Sequence, residues 1–342
     1  MAESHLEEAV LWEAMTQNRV KCGLCRHACV IAEGKTGFCA VRKNVNGVLY
    51  SLNHAIVCAA NADPIEKKPF FHFLPGSQSF SIAAEGCNFR CAFCQNWQIS
   101  QDPVQTGSIR GQRTDPRGLV QAAVQENCQS IAYTYTEPTI FMELCAACAR
   151  LARNQGMANV FVSNGYETVA ALDYAKDWLD GINVDLKAFN PDYYAHLCKA
   201  RFEGVLDTIR HIARHTEIWM EITTLLVPGQ NDEEDELKRL AEFIATEAGP
   251  DVPWHISRFH PQYKLTAVRS TPIESLERAY AIGKAAGLDY VYLGNVPGSN
   301  TESTFCPQCK RILIERHGYR ILGNEVVNGQ CPDCGKKIAG VW

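Results

Sequence analysis

Seven short runs rich in apolar and β-branched residues alternate with helical stretches along most of this chain, and few folds accept that order. The runs cover 80–84, 130–136, 159–163, 182–186, 218–226, 254–259 and 290–293. Helical patterns fall near 116–127, 139–154, 168–179, 204–214, 232–246 and 274–286. Strand, helix, strand at intervals of about 25 to 40 residues predicts parallel βα units. Spacing alone leaves the sheet open or closed. Polar residues recur directly after several different strands, which favours a barrel or partial barrel whose strand C-termini build one site.

Those strand-end residues have a common chemistry. Glu137 follows the second run in Tyr-Thr-Glu-Pro, and Asn164-Gly165 follows the third. Asp185 and Lys187 end the fourth, Pro228-Gly229 follows the fifth, and Arg258 and His260 end the sixth. Singly, each reads as a turn. Together they place carboxylates, a lysine and a histidine around one cavity. The 342 residues, 46% hydrophobic and 21% charged, supply an ordinary globular core. A net charge of −5 gives no electrostatic argument for wholesale nucleic-acid binding. No stretch approaches the ~18 apolar residues of a membrane span, and no N-terminal run resembles a signal peptide. The expectation is a cytoplasmic protein with no membrane association.

Sixteen cysteines are many for such a chain, and eleven fall in three tight groups. In a reducing compartment, clustered thiols ligate metal more often than they form disulfides. The first group is Cys22, Cys25, Cys29 and Cys39, two pairs bridged by Gly34 and Gly37; the spacing does not separate zinc from an auxiliary iron–sulfur cluster. Nearby His27 reads as a surface histidine. The second, Cys87, Cys91 and Cys94, follows the first strand. Structural zinc and ferredoxin-type clusters normally use four protein ligands, so a trio implies a cluster with one iron left open. The third, Cys306-Pro-Gln-Cys309 and Cys331-Pro-Asp-Cys334, reads as a zinc ribbon with a strand-rich insert over 312–315 and 319–322. Cys58, Cys128, Cys145, Cys148 and Cys198 lie outside the groups, and Cys145 and Cys148 read as buried core thiols. Residues 4–15 read as a short amphipathic helix with Ser4 and Glu7 as a capping box. Residues 61–78, rich in proline and charge, read as a loop with Glu66, Lys67 and Lys68 solvated.

Cys-x-x-x-Cys-x-Phe93-Cys resembles the signature of the radical S-adenosylmethionine (SAM) enzymes. The resemblance implies a [4Fe–4S] cluster on Cys87, Cys91 and Cys94, with SAM on the open iron. It also implies SAM contacts from Phe93, Glu137, Asn164, Asp185, Lys187 and His260, and a flavodoxin- or ferredoxin-like electron donor. Tyr-Thr-Glu137-Pro138 stands where the family carries Gly-Gly-Glu-Pro. Asp185-Leu-Lys187 and Arg-Phe-His260 resemble the pyruvate formate-lyase activating enzymes, although Val162 replaces their aspartate. Phe89, Phe93 and Trp97 are expected to shield the cluster.

The motifs Cys22-x-x-Cys-Arg-His-x-Cys, Asp63-Pro-Ile-Glu-Lys-Lys-Pro69 and Gly340-Val-Trp342 are similar to the radical enzyme of the AmmeMemoRadiSam system. That implies association with Memo-like and AMMECR-like proteins. The expected organisation is an N-terminal Cys-rich segment and linker over 1–78, a radical SAM α/β partial barrel over 79–300, and a zinc-ribbon-like module over 301–342. The expected activity is modification of a protein, RNA or small molecule. Two alternatives stand beside it: a glycyl-radical activase, and a non-catalytic scaffold using the basic residues Lys310, Arg311, Arg316, Arg320, Lys336 and Lys337.

Overall fold

The computed structural model describes residues 6–294, 296 and 300–342. Eight strands form one sheet: β1 (Ala59–Pro64), β2 (Gln78–Ala83), β3 (Ser130–Tyr133), β4 (Ala158–Ser163), β5 (Gly181–Asp185), β6 (Trp219–Leu226), β7 (Trp254–Arg258) and β8 (Val291–Gly294). They lie side by side in chain order. From β2 to β8 every neighbour is parallel, while β1 runs antiparallel to β2. Among the described residues no pairing joins β1 to β8, so the sheet is an open, partial barrel. All seven expected strands are present.

Helices α1 (Pro116–Gln125), α2 (Met142–Arg153), α3 (Val169–Ala175), α4 (Phe202–His215), α5 (Glu234–Phe243) and α6 (Ile273–Ala285) connect the strands. Local chemistry sets their starts. Asp115 caps α1 by accepting from Gly118 N, with Pro116 in the first turn, and Thr168 caps α3 by accepting from Ala171 N. Along α4, Phe202, Val205, Leu206, Ile209 and Ile212 repeat at helical spacing and are buried. Cys145 and Cys148 on α2 are fully buried core thiols, as expected.

Three expectations fail. Residues 6–15 form no helix: Glu7–Glu8 pairs with Val48–Ser51, and Trp12–Ala14 pairs with Val20–Cys22. Leu11 adopts a left-handed φ of 55°, Ala9 N bonds Leu49 O, and Val10 N bonds the Glu143 carboxylate. Tertiary partners override a weak local period there; Ser4 lies outside the described residues. The supposed loop from 61 begins inside β1, where Pro64 is tolerated because the strand is an edge. Glu66 and Lys68 are buried rather than solvated.

The third failure concerns the tail. Strands Thr304–Phe305, Ile312–His317 and Arg320–Asn324 form its antiparallel sheet. Leu313, Ile314 and Ile338 pack on Phe71, Tyr290 and Tyr292. Arg316 is buried: it donates to Phe71 O and Thr304 Oγ1 and lies over the Phe71 ring. It therefore belongs to no surface basic patch, and Arg311 is paired with Glu325 and Asp333. Val341 exchanges backbone hydrogen bonds with His72 and Leu74. Underneath, Glu221 accepts from Phe71 N, His72 N and the His255 ring, pinning segment 69–73 to β6 and β7. Among the described residues no helix is long and apolar enough to cross a membrane.

Candidate active site and metal centres

The loops after β2, β3, β4 and β5 open on one cavity of ≈ 340 Å³. Cys87, Cys91 and Cys94 line it with Phe89, Phe93, Asn164, Asp185 and Lys187. The 86–97 loop is fixed from several sides. Arg90 N and Ala92 N donate to Cys198 O and Leu197 O, Arg90 Nη1 donates to Cys87 O, and Asn96 Nδ2 donates to Tyr135 O. Gly86 sits at φ 106°, where an added Cβ would meet Val41 and Cys39 O, so only glycine fits. Phe89 and Phe93 are buried cavity walls; Trp97 lies outside the lining and stacks on Tyr263.

Lys187 Nζ is 2.9 Å from Asp185 Oδ2 and faces the Phe93 ring at 5.9 Å. Burial favours its neutral form, but Asp185 and the Cys91 and Cys198 thiols outweigh it and keep the ammonium charged. Burial likewise pushes the Cys87 and Cys94 thiols up, aided by Glu137 at Cys87 and by Cys91 at both. A hydrogen bond with Cys198, then burial, raises Cys91. These thiols favour their protonated forms unless a cation joins them.

Two sequence-derived residues stand elsewhere. Glu137 does not line the cavity. Its fully buried carboxylate accepts from Thr139, Ser163 and Asn164 N (2.8 Å), so it braces the loop that carries Asn164. Burial and neighbouring Glu167 push its pKa up to about 8. His260 lines an adjoining cavity of ≈ 780 Å³ and bonds Ser270 Oγ. That second cavity shares Lys67, Gln95, Thr223 and Ser257 with the first and is walled by His317, Gly318 and Tyr319 of the tail hairpin.

The sequence reading missed a polar cluster beside the site. Asp63 accepts from Lys67, Lys68, Tyr135 OH and Ser81. Burial pushes its carboxyl up, but the hydrogen bonds from Lys67, Lys68 and Tyr135 win and hold it below the usual range. Tyr135, a cavity residue at φ 69°, takes the backbone region that glycine prefers. The Asp-Pro-Ile-Glu-Lys-Lys-Pro motif was the available signal. Asn231 was also missed: it donates to Lys187 O and Leu225 O, holding two strand ends together.

A family model of the radical SAM superfamily matches residues 81–241. An uncharacterized protein of Methanocaldococcus jannaschii is 45% identical over 338 residues, covering 97% of this chain and 99% of that protein. The chain belongs to the radical SAM superfamily. The pyruvate formate-lyase 1-activating enzyme of Escherichia coli K12 is 23% identical over 219 residues, 58% of this chain and 85% of that enzyme. In fold, a radical SAM methyltransferase from Sphaerobacter thermophilus superposes with a TM-score of 0.52 at 15% identity, covering 66% of this chain and 68% of that one.

Radical SAM membership implies a [4Fe–4S] cluster and SAM, and the residues fit both. Three thiols face one cavity. Phe89 N and Asn164 Nδ2 direct hydrogen bonds to the Cys87 sulfur, as a thiolate needs. Asn164 Oδ1 is buried without a hydrogen-bond partner, an acceptor left for a ligand. At the tail, the ligand atoms of Cys306, Cys309, Cys331 and Cys334 all lie within 4.8 Å of one another. Burial pushes the Cys306 thiol up, but hydrogen bonds from the Cys309 and Gln308 backbone outweigh it and bring it down to about 7. That favours a thiolate at Cys306, while its hydrogen-bonded neighbours Cys309 and Cys334 are pushed up and hold their protons until a cation binds.

Proposed function

We propose that the protein is a radical SAM enzyme acting on its own substrate in a modification reaction. The observation that supports it most is the convergence of Cys87, Cys91 and Cys94 with Asn164, Asp185 and Lys187 on one cavity at the strand C-termini. Cys87, Cys91 and Cys94 would hold the [4Fe–4S] cluster, which when reduced would supply the electron for reductive cleavage of SAM and so the hydrogen-abstracting chemistry. The chain's residues supply the rest. Lys187 presents a fixed ammonium to the SAM carboxylate. Asn164 offers a free amide oxygen to its polar groups, and Phe89 and Phe93 exclude water. Lys67, Thr223 and Ser257 form the passage to the adjoining cavity, where substrate binds against the tail hairpin. The tail quartet holds a single zinc ion and keeps that hairpin in place.

This reading carries a flavodoxin- or ferredoxin-like donor and a cytoplasmic setting. Memo-like and AMMECR-like partners rest on the motif resemblance alone. Dithionite-driven formation of 5′-deoxyadenosine by anaerobically reconstituted protein tests it; loss of that activity in a folded Cys91→Ala variant supports the assignment, and retention sinks it. Similarity to pyruvate formate-lyase activating enzymes favours a second reading, a glycyl-radical activase. That reading requires a glycyl signal by electron paramagnetic resonance on a co-encoded partner, and fails without one.

A further inference from the structure

We propose that Cys22, Cys25, Cys29 and Cys39 hold a second [4Fe–4S] cluster rather than zinc. This goes beyond the catalytic reading and stands without it. The four thiols line one pocket against Leu24, Ile31 and Ile140. They converge, yet no three of their sulfurs lie mutually within 4.8 Å, the closeness a single ion needs. Zinc–sulfur bonds of about 2.3 Å in a tetrahedron require sulfurs about 3.8 Å apart. The tail quartet meets this, with Cys306–Cys334 and Cys309–Cys331 both at 3.6 Å. Among the described residues it is the only group of three or more metal-ligating side chains whose ligand atoms all lie within 4.8 Å of one another. Neither the N-terminal four nor the radical trio meets that limit. Wide spacing suits a polynuclear core, because each thiolate binds a different iron.

The site is built for a metal–thiolate group. Phe38 N donates to the Cys29 sulfur at 3.4 Å. A Cβ at Gly37 would crowd Ile31 Cδ1 at 3.2 Å and reach van der Waals contact with that sulfur at 3.6 Å. Arg42 lines the same cavity, 1% exposed, and its Nε and Nη1 have no hydrogen-bond partner. Its Nη2 is paired with Glu143 Oε1 at 2.9 Å and donates to Val10 O, which leaves the other two nitrogens of this buried guanidinium for negative charge on the four thiols. The module also abuts the radical loop. Phe38 O accepts from Arg90, which donates to Cys87 O, and His27 Nε2 lies 2.7 Å from Asn88 O. His27 is thus a clasp between the two loops rather than a surface histidine or a ligand.

The test removes the radical trio instead of the proposed site. A Cys87→Ala, Cys91→Ala, Cys94→Ala variant is reconstituted anaerobically with iron, sulfide and zinc all supplied, then assayed for each. The expected result is about four irons and four sulfides per chain, with a [4Fe–4S] Mössbauer signature. No iron, with either one or about two zinc ions per chain, overturns the proposal. Adding Cys25→Ser and Cys39→Ser must remove the iron; retention overturns it too. If the triple variant fails to fold, the wild-type chain decides: about eight irons support two clusters, and about four contradict the second. None of these readouts depends on SAM cleavage, so failure of the catalytic reading leaves the test intact.

Discussion

Glu137 and Glu167 are buried together and share two donors, Thr139 Oγ1 and Ser163 Oγ. Two carboxylates so placed do not both ionise easily. Glu137 acts on the site through Asn164, whose backbone N–H it accepts. Glu137→Ala leaves that donor unsatisfied, so SAM affinity should fall roughly tenfold, a loss of about 1.4 kcal/mol, with cluster iron unchanged. Anaerobic equilibrium titration checks this, and unaltered affinity would show that the brace is dispensable. The pair also has a pH signature. A folded-state value of about 8 lies above the unfolded one, so its stabilising contribution is full below about 4.3 and is lost as pH rises through about 8. Glu167→Gln removes the repulsion and should make the decline in urea stability from pH 5 to 8 shallower than wild type; parallel slopes would refute the coupling.

At the scale of elements, the seven parallel strands were legible because they are mostly buried and rich in apolar and β-branched residues. The polar residues after them were legible as a set for the same reason: strand ends fix where loops begin. Edge and loop positions were not legible. β1 carries Asn61, Asp63 and Pro64, which read as a loop, and only pairing with β2 makes it a strand. Its Asp63 gathers Lys67 and Lys68 from its own motif and Tyr135 from 72 residues away, a partner no local pattern shows. Asp63→Ala strands the buried Lys68 ammonium and should cost about 3 kcal/mol by chemical denaturation. Its depressed carboxyl contributes stability above about 3.9 that is lost only as pH falls further, so the variant should unfold with a flatter acid limb. A cost below about 0.5 kcal/mol would place Lys68 in water instead.

For the whole molecule, three cysteine groups were visible from spacing, but their relation was not. The tail looked separable, yet Arg316, Phe71, His72 and Tyr292 lock it onto the sheet, and its hairpin walls the second cavity. Cys331→Ser should lose the metal proposed for the tail and lower the melting temperature while uncoupled SAM cleavage stays within about twofold of wild type, because the cavity proposed for SAM lies on other loops. Loss of cleavage in a folded variant would tie the tail to the radical site itself. The central claim concerns Cys87, Cys91 and Cys94. Its most direct test is 5′-deoxyadenosine formation by anaerobically reconstituted wild-type protein with dithionite and SAM, beside Cys91→Ala. The account predicts nucleoside from the first and none from the second. Fully reconstituted, folded wild-type protein that makes none, or an equally active Cys91→Ala, would contradict it.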